Sequence, residues 1–336
     1  MKKRSLACLA LIALILCACA PKPPEYVAYV NGDGITREQY IAYCWRFLGE
    51  VDPEGTITAE AFTLSLDSEG TTLNRVILES AMEYIIIAEF FSQTARELGI
   101  EADDEDIAAL AADIAELEQK HGSKELYEAY LKGSGMSAAA NREIYLSDIL
   151  KNKVSRALFE NEGPYAPSAQ DLEDYFNWNY ATISHILLLC ADLSTGEPYP
   201  EKQQGEALKK AREAISRYND GEDFFELVRE YGEDTALEKT GSMTYTFTYG
   251  SLTADLEQAA FALSEGEMAA APVRTAYGYH VLKRFPLDRS YFEDSRDAVL
   301  TDYIQSETRA LIERFKQDSV ITYTPLFDQI DMSVYF

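Results

Sequence analysis

Two of the three histidines in this sequence lie in apolar segments. An imidazole there can take part in chemistry only if the fold places another polar group within hydrogen-bonding distance of it. His185 lies in the strand-like run 182–189, and His280 directly precedes Val281 and Leu282. Histidines on strands are most often core side chains whose ring nitrogens are satisfied by hydrogen bonds. A metal centre is not indicated, because the spacing predicts no third ligand near either histidine.

The remaining histidine and the cysteines indicate no second site. His121 precedes Gly122 at the predicted end of a helix, where an imidazolium charge interacts favourably with the helix dipole. The sequence has neither a C-x-x-C pair nor a set of Cys and His at metal-binding spacing. Cys44 and Cys190 lie far apart in apolar stretches, so two buried free thiols are favoured over a disulfide.

The N-terminus resembles the leader of a bacterial lipoprotein. Lys-Lys-Arg at positions 2–4 precedes an apolar run at 6–16, which is too short to span a bilayer as a helix. Leu-Cys-Ala-Cys at positions 16–19 resembles a lipobox. This resemblance implies cleavage before Cys19, a lipid on its thiol, and an extracytoplasmic location at the cell membrane. An ordinary cleaved signal peptide is the alternative.

Composition and charge restrict the classes of partner. With 336 residues, 47% hydrophobic and 26% charged, the chain is long enough for two globular domains. Its formal net charge of −27 disfavours binding to nucleic acid or anionic lipid and favours basic partners.

The elements that position the histidines fall into two kinds of region. Residues 35–160 have helical periodicity, as in the predicted helix 71–98, whose apolar residues recur every three or four positions and which Gly99 closes. Gly-Pro-Tyr-Ala-Pro at 163–167 breaks this pattern. Beyond it, strand-like runs alternate with short amphipathic helices over about 105 residues, which is typical of an α+β unit.

The segment 182–285 resembles the parvulin family of prolyl isomerases. Ser-His-Ile-Leu at 184–187 is similar to the family's opening strand, and Thr-Ala-Tyr-Gly-Tyr-His-Val at 275–281 to its closing motif. Between them, Gly-Glu at 266–267 leads to Pro-Val at 272–273, as in the family. The order and spacing of these pieces make the resemblance specific.

The resemblance implies a site that twists an X-Pro imide bond, whose rotation has a barrier of roughly 20 kcal/mol. It implies that His185 and His280 pair at the floor of the site. Thr275 is expected to form hydrogen bonds between them and to set their tautomers. Asp234 matches the position where the family has Asp or Cys. By the same resemblance, the wall of the proline pocket is formed by Leu252, Leu256 and Phe261. No cofactor is expected.

Three departures from the family predict weak turnover. The usual Gly-Gly-x-Leu-Gly turn is Thr-Gly-Ser-Met-Thr at 240–244. Leu256 stands where an aromatic residue is common, and Leu252 where Met is common. Leu256 leaves a less filled and less flat wall against proline.

The architecture resembles the foldase lipoproteins of the PrsA and SurA type. This implies an α+β protein with a mostly helical N-terminal chaperone lobe that a C-terminal helix completes. A parvulin domain, which is a small antiparallel sheet surrounded by helices, is expected to be inserted in this lobe. The expected domains begin with a signal peptide at 1–18 and a spacer with the lipidated cysteine at 19–26. A SurA-like helical domain at 27–165 and a parvulin domain with its lead-in helix at 168–288 follow. The C-terminal helix and strand at 289–336 are expected to pack on the N-terminal lobe.

Two functions remain open at this point. The first is a membrane-anchored isomerase and chaperone for unfolded secreted polypeptides that contain X-Pro bonds. The alternative is a parvulin-fold holdase that binds unfolded clients with little or no catalysis. A solute-binding lipoprotein of a transporter is disfavoured because the repeated α/β halves of such proteins are missing. The pattern does not decide the oligomeric state, so a homodimer stays open.

Overall fold

The computed structural model of this chain describes residues 25–160, 162–234 and 242–336. The expected leader and Cys19 lie outside these residues. The described chain divides into two compact units: unit 1 runs to Ala166 and resumes over Glu307–Phe336, and unit 2 is Pro167–Ser306. Every helix in the described ranges is too short or too polar to cross a membrane.

The helices and strands follow one another along the chain in this order. The elements up to residue 160 are β1 Tyr26–Val30, β2 Asp33–Thr36, α1 Arg37–Val51, α2 Leu73–Leu98, α3 Asp104–Lys120, α4 Lys124–Gly133 and α5 Ala138–Phe159. The elements from residue 169 onward are α6 Ala169–Asn179, β3 Tyr180–Leu189, α7 Glu201–Asn219, α8 Phe224–Tyr231, β4 Tyr245–Thr248, α9 Ala254–Ala262, β5 Val273–Arg274, β6 Gly278–Phe285, α10 Arg289–Asp294, α11 Arg296–Asp318 and β7 Ile321–Tyr323.

Unit 1 packs its helices on a three-stranded antiparallel sheet of order β2-β1-β7. The central strand β1 buries Val27, Ala28 and Val30 completely. The core around them is formed largely by α1 and α2, and the Tyr40 hydroxyl donates to the Leu78 carbonyl at 2.7 Å across it. The helix predicted to end before Gly99 does so, with Gly99 in the left-handed conformation at φ 66°.

Helix α1 begins with a capping box. Thr36 Oγ1 accepts from the Gln39 backbone N–H at 3.2 Å, and Gln39 Oε1 accepts from the Thr36 N–H at 2.9 Å. Two of the donors that a helix start leaves unsatisfied are thereby bonded.

Replacing Thr36 by alanine removes this cap and is expected to lower the free energy of unfolding of unit 1 by about 1 kcal/mol. Urea denaturation followed by circular dichroism measures the change. Thr308→Ala, within α11, is the matched control, and it is expected to be neutral because alanine favours helix interiors. Equal urea midpoints for the two variants would show that the cap contributes nothing.

Unit 2 is built around β3, the central strand of an antiparallel sheet of order β4-β3-β6-β5. Successive side chains of β3 point to opposite faces, so Ile186 and Leu188 pack against α7 and α8, whereas Ala181 and Ile183 pack against α9. A strand covered on both faces needs apolar residues at nearly every position. This explains why residues 182–189 have little alternation.

A further cluster of unit 2 joins α6 to α10 and to the start of α11. Phe176 and Tyr180 pack against Phe292 and Val299. Residues 289–306, which the sequence analysis assigned to the C-terminal segment, therefore lie in unit 2. The domain boundaries given from the sequence otherwise stay predictions.

Candidate active site

The two strand histidines lie on the same face of the unit 2 sheet. In the β3–β6 ladder His185 is opposite Leu282 and His280 is opposite Leu187, which makes the imidazoles diagonal neighbours within reach of each other. Their Nδ1 atoms are 2.8 Å apart, and the ring planes are inclined by 24°. The residues are only 4% and 3% exposed, so the pair is shielded from bulk water.

Hydrogen bonds extend this pair in both directions. His185 Nε2 is 2.9 Å from Asp234 Oδ2, and His280 Nε2 is 2.8 Å from Thr275 Oγ1, which also accepts from the Tyr277 N–H at 3.2 Å. The structure thus brings four predicted residues into one row, defined here as the histidine row: Asp234, His185, His280 and Thr275. Thr275 was expected between the histidines, but it lies at the outer end because the rings bond each other directly.

The directions of these bonds follow if Asp234 is ionised and both histidines are neutral. A carboxylate only accepts, so His185 keeps its proton on Nε2 and accepts at Nδ1. His280 then donates from Nδ1 and accepts from the Thr275 hydroxyl at Nε2. Every ring nitrogen is satisfied, so hydrogen bonds fix the orientation of both imidazoles.

The surroundings hold His280 in the neutral form. Burial, and after it the proximity of His185, lowers the pKa of His280 from 6.5 to about 3, against the opposing effect of Asp234. Such an imidazole does not take up a proton near neutral pH. In this form His280 takes part in the row through its hydrogen bonds to His185 and Thr275.

Asp234, His185 and His280 of the histidine row line a cavity of about 580 Å³ in unit 2. Its apolar wall includes Leu187, Leu252 and Leu256, the last two of which were expected to contact proline. The described charges at the cavity are few, and Asp234 is the carboxylate among the lining residues. An apolar cavity with a small number of oriented polar groups is typical of a ligand site.

Phe261, which the sequence analysis assigned to the same wall, is not among the lining residues. Its ring stacks on Tyr249 with centroids 3.9 Å apart and meets Phe247 edge-on. Five residues separate it from Leu256 on one helix, a rotation of about 140° at 3.6 residues per turn. The two side chains therefore leave the helix in different directions, and only that of Leu256 lines the cavity.

Several lining residues were not found from the sequence. Leu187 follows His185 by two positions on one strand, so strand periodicity alone could have identified it. Leu193 and Tyr277 lie in loops and are about half exposed, at 52% and 48%. No local pattern marks loop residues of this kind, because the fold alone brings them to the cavity.

Tyr245 on β4 is the most informative of these additions. Its ring meets His185 edge-on, with centroids 5.9 Å apart. Burial, and after it the charge of Asp234, raises the pKa of Tyr245 well above its usual range. The phenol stays protonated at neutral pH and can donate a hydrogen bond into the cavity.

The cysteines, the possible metal ligands and the turn at 240–244 were also considered from the sequence. Cys44 and Cys190 are both free and buried, as expected. Within the described ranges, no group of three or more His, Cys, Asp and Glu side chains could hold a metal ion. Of the altered turn at 240–244, positions 240 and 241 lie outside the described residues.

Two family models match separate parts of the chain. Residues 185–285 match the PPIC-type PPIase domain, and residues 5–155 match the SurA-like N-terminal domain. Foldase protein PrsA of Caldanaerobacter subterraneus is 23% identical over 319 residues, covering 92% of this chain and 90% of that protein. Foldase protein PrsA 2 of Listeria monocytogenes is 29% identical over 184 residues, covering 54% of this chain and 55% of that protein.

Solved structures similar to this chain superpose on it only poorly. The peptidylprolyl isomerase PrsA from Bacillus cereus is 18% identical, with a TM-score of 0.38, covering 82% of this chain and 98% of that one. PrsA from Bacillus anthracis is 17% identical, with a TM-score of 0.35, covering 70% and 95%. Both scores are below 0.5, so the assignment of the chain depends on the family models.

Fold, site and family matches together define a parvulin-type peptidyl-prolyl isomerase. Within this class the chain is similar to the PrsA and SurA type, because it combines a PPIC-type PPIase domain with a SurA-like N-terminal domain. The family resemblance, the α+β fold class and the enzyme class expected from the sequence are confirmed.

Proposed function

We propose that this protein accelerates cis–trans isomerisation of X-Pro bonds in unfolded secreted polypeptides at the histidine row and its cavity. One observation supports this most directly: three of the four hydrogen-bonded residues of the row, Asp234, His185 and His280, line a largely apolar cavity of about 580 Å³. Leu252 and Leu256 contact the pyrrolidine ring, and the backbone on either side of proline runs out past Leu193 and Tyr277.

Asp234 lowers the barrier through its charge. In the planar imide, resonance places partial negative charge on the carbonyl oxygen, and twisting the bond removes that charge. A carboxylate next to this oxygen repels the planar forms more than the twisted form, which binds more tightly by comparison. No covalent bond to the protein and no proton transfer are required.

Tyr245 complements this effect from the neighbouring strand. Twisting returns the lone pair to the imide nitrogen, which then accepts a hydrogen bond that the planar form accepts poorly. The protonated phenol of Tyr245 supplies the donor. His185 and His280 position Asp234 and the floor of the cavity.

The cellular setting is part of the proposal. The lipobox-like motif at 16–19 supports a lipid on Cys19 and an anchor on the outer face of the cell membrane. Relatives that cover most of this chain are named as foldases, which supports unfolded polypeptides as clients.

A proline-exchange assay on residues 25–336 tests the function. We expect the exchange rate of a short X-Pro peptide to rise in proportion to protein concentration. Suppressed aggregation of an unfolded client without any faster exchange, even at high protein concentration, would favour the holdase alternative and remove the enzymatic proposal.

Replacing Leu252 by alanine is expected to raise KM for an X-Pro peptide roughly fivefold with kcat little changed, because the lost apolar contact stabilises bound substrate and transition state equally. Steady-state kinetics at several peptide concentrations measures both constants. Leu263→Ala is the control, since Leu263 packs against the same core cluster without lining the cavity. A fall in kcat alone would contradict a contact with proline.

A further inference from the structure

Unit 1 contains a cavity of its own. It measures about 230 Å³ and lies between β2, α1, α2 and α5. An apolar cavity of about 150 Å³ is enough to hold a benzene molecule, so this one has room for a single side chain.

The lining of this cavity combines two kinds of surface. Ile35, Ile85 and Ile144 supply apolar surface from β2, α2 and α5. Glu89 on α2 and Glu143 on α5 supply carboxylates. No Lys, Arg or His is among the lining residues, so within the cavity the two acidic groups face no positive charge.

Both carboxylates are held by amides and not by cations. Glu143 accepts from Gln39 Nε2 at 2.5 Å, and Glu89 accepts from Gln93 Nε2 at 3.3 Å. Burial raises the pKa of Glu89. Arg96 opposes this shift, but it makes its own ion pair with Asp33. A half-buried carboxyl without a paired cation is more stable when a cation enters.

We propose that this cavity binds the side chain of a lysine or arginine from an unfolded client polypeptide. Such side chains place an aliphatic stem on apolar surface and keep a cationic end at a polar edge, which matches the isoleucine lining and the two glutamates. The chain's net charge of −27 attracts basic segments and repels a second copy of this protein. This inference extends the proposed handling of unfolded chains, but it does not depend on isomerisation.

Peptide binding tests the inference without involving proline. Residues 25–336 are titrated by calorimetry with a capped, proline-free heptapeptide that has one central lysine, and with the same peptide carrying norleucine there. We expect measurable binding of the lysine peptide and at least tenfold weaker binding of the norleucine peptide. The double substitution E89Q/E143Q should weaken binding of the lysine peptide roughly tenfold, since charge-assisted bonds are lost.

A matched double variant separates a local effect from a general effect of charge. E97Q/E160Q removes two exposed carboxylates next to the same helices, and it should leave binding unchanged. Equal losses in both double variants would reduce the effect to bulk charge and overturn the site. Equal binding of the two peptides would overturn the requirement for a cation, and self-association abolished by E89Q/E143Q would assign the cavity to a second copy.

Thermal unfolding of E89Q/E143Q shows whether unit 1 still folds. NMR of isoleucine methyl groups shows, independently of the calorimetric affinity, where the peptide binds. The lysine peptide should shift the methyl signals of Ile85 and Ile144 in the unsubstituted protein. If the unsubstituted protein shows these methyl shifts but does not accelerate proline exchange, only the isomerase proposal is refuted. If it accelerates proline exchange but the lysine peptide causes no methyl shifts, only this inference is refuted.

Discussion

Asp234→Ala is expected to lower kcat/KM for a short X-Pro peptide by roughly 10²-fold, the usual effect of losing one oriented electrostatic group. The substitution removes the charge at the cavity and the partner of His185 Nε2, which lies 2.9 Å from the carboxylate. Most of the loss should fall on kcat, because the charge distinguishes the twisted form from the planar form. Protease-free exchange measurements by NMR determine the rate without a coupled reaction.

Asp234→Asn separates the two contributions of this carboxylate. The amide oxygen can still accept from His185, so the row keeps its order while the charge is lost. We expect an intermediate loss of roughly tenfold. Asp255→Ala, which removes an exposed carboxylate from the first turn of α9, is the control and should retain full activity. Full activity in Asp234→Asn would mean that charge has no part in the reaction.

Acid is expected to destabilise unit 2 well above the pH at which its carboxylates titrate. His280 has a pKa of about 3 in the folded protein and 6.5 as its ordinary value, so between these values the unfolded chain binds the additional proton. The loss of unfolding free energy is negligible above pH 6.5, grows progressively as the pH falls, and reaches about 3 kcal/mol at pH 4. Urea denaturation of residues 25–336 across this range measures the slope.

His280→Asn removes the titrating ring and is expected to flatten the dependence of unfolding free energy on pH between 6.5 and 4. His121→Asn is the matched control, since His121 is an exposed residue at the end of α3. Its profile should follow that of the unsubstituted protein. Parallel slopes for His280→Asn and the unsubstituted protein would show that burial of His280 is not the cause.

Local patterns predicted the residues of the site better than their arrangement. The motifs around His185 and His280 identified both strands, since each motif is contiguous in the sequence. Their direct Nδ1–Nδ1 bond depends on the register that sets His185 opposite Leu282, and no local pattern contains that register. The family resemblance placed Thr275 between the rings, whereas it bonds the outer nitrogen of His280.

Residues whose role depends on distant elements could not be predicted. Phe261 was assigned to the pocket by the family resemblance, although its ring stacks on Tyr249. Tyr245 belongs to a strand that reaches the cavity only through pairing with β3. The cavity of unit 1 requires three helices from separate parts of the sequence, so periodicity found the helices but not the space between them.

The order of strands in unit 1 has a consequence for biosynthesis. β1 begins near the N-terminus, and β7, which pairs with it from Val30 opposite Ile321 to Ala28 opposite Tyr323, is the last strand made. Translation produces all of Pro167–Ser306 between these partners. The contiguous insert can fold as it emerges, whereas the host sheet has to wait for the final segment, so a chain truncated before β7 would leave one side of β1 without its hydrogen-bonding partner.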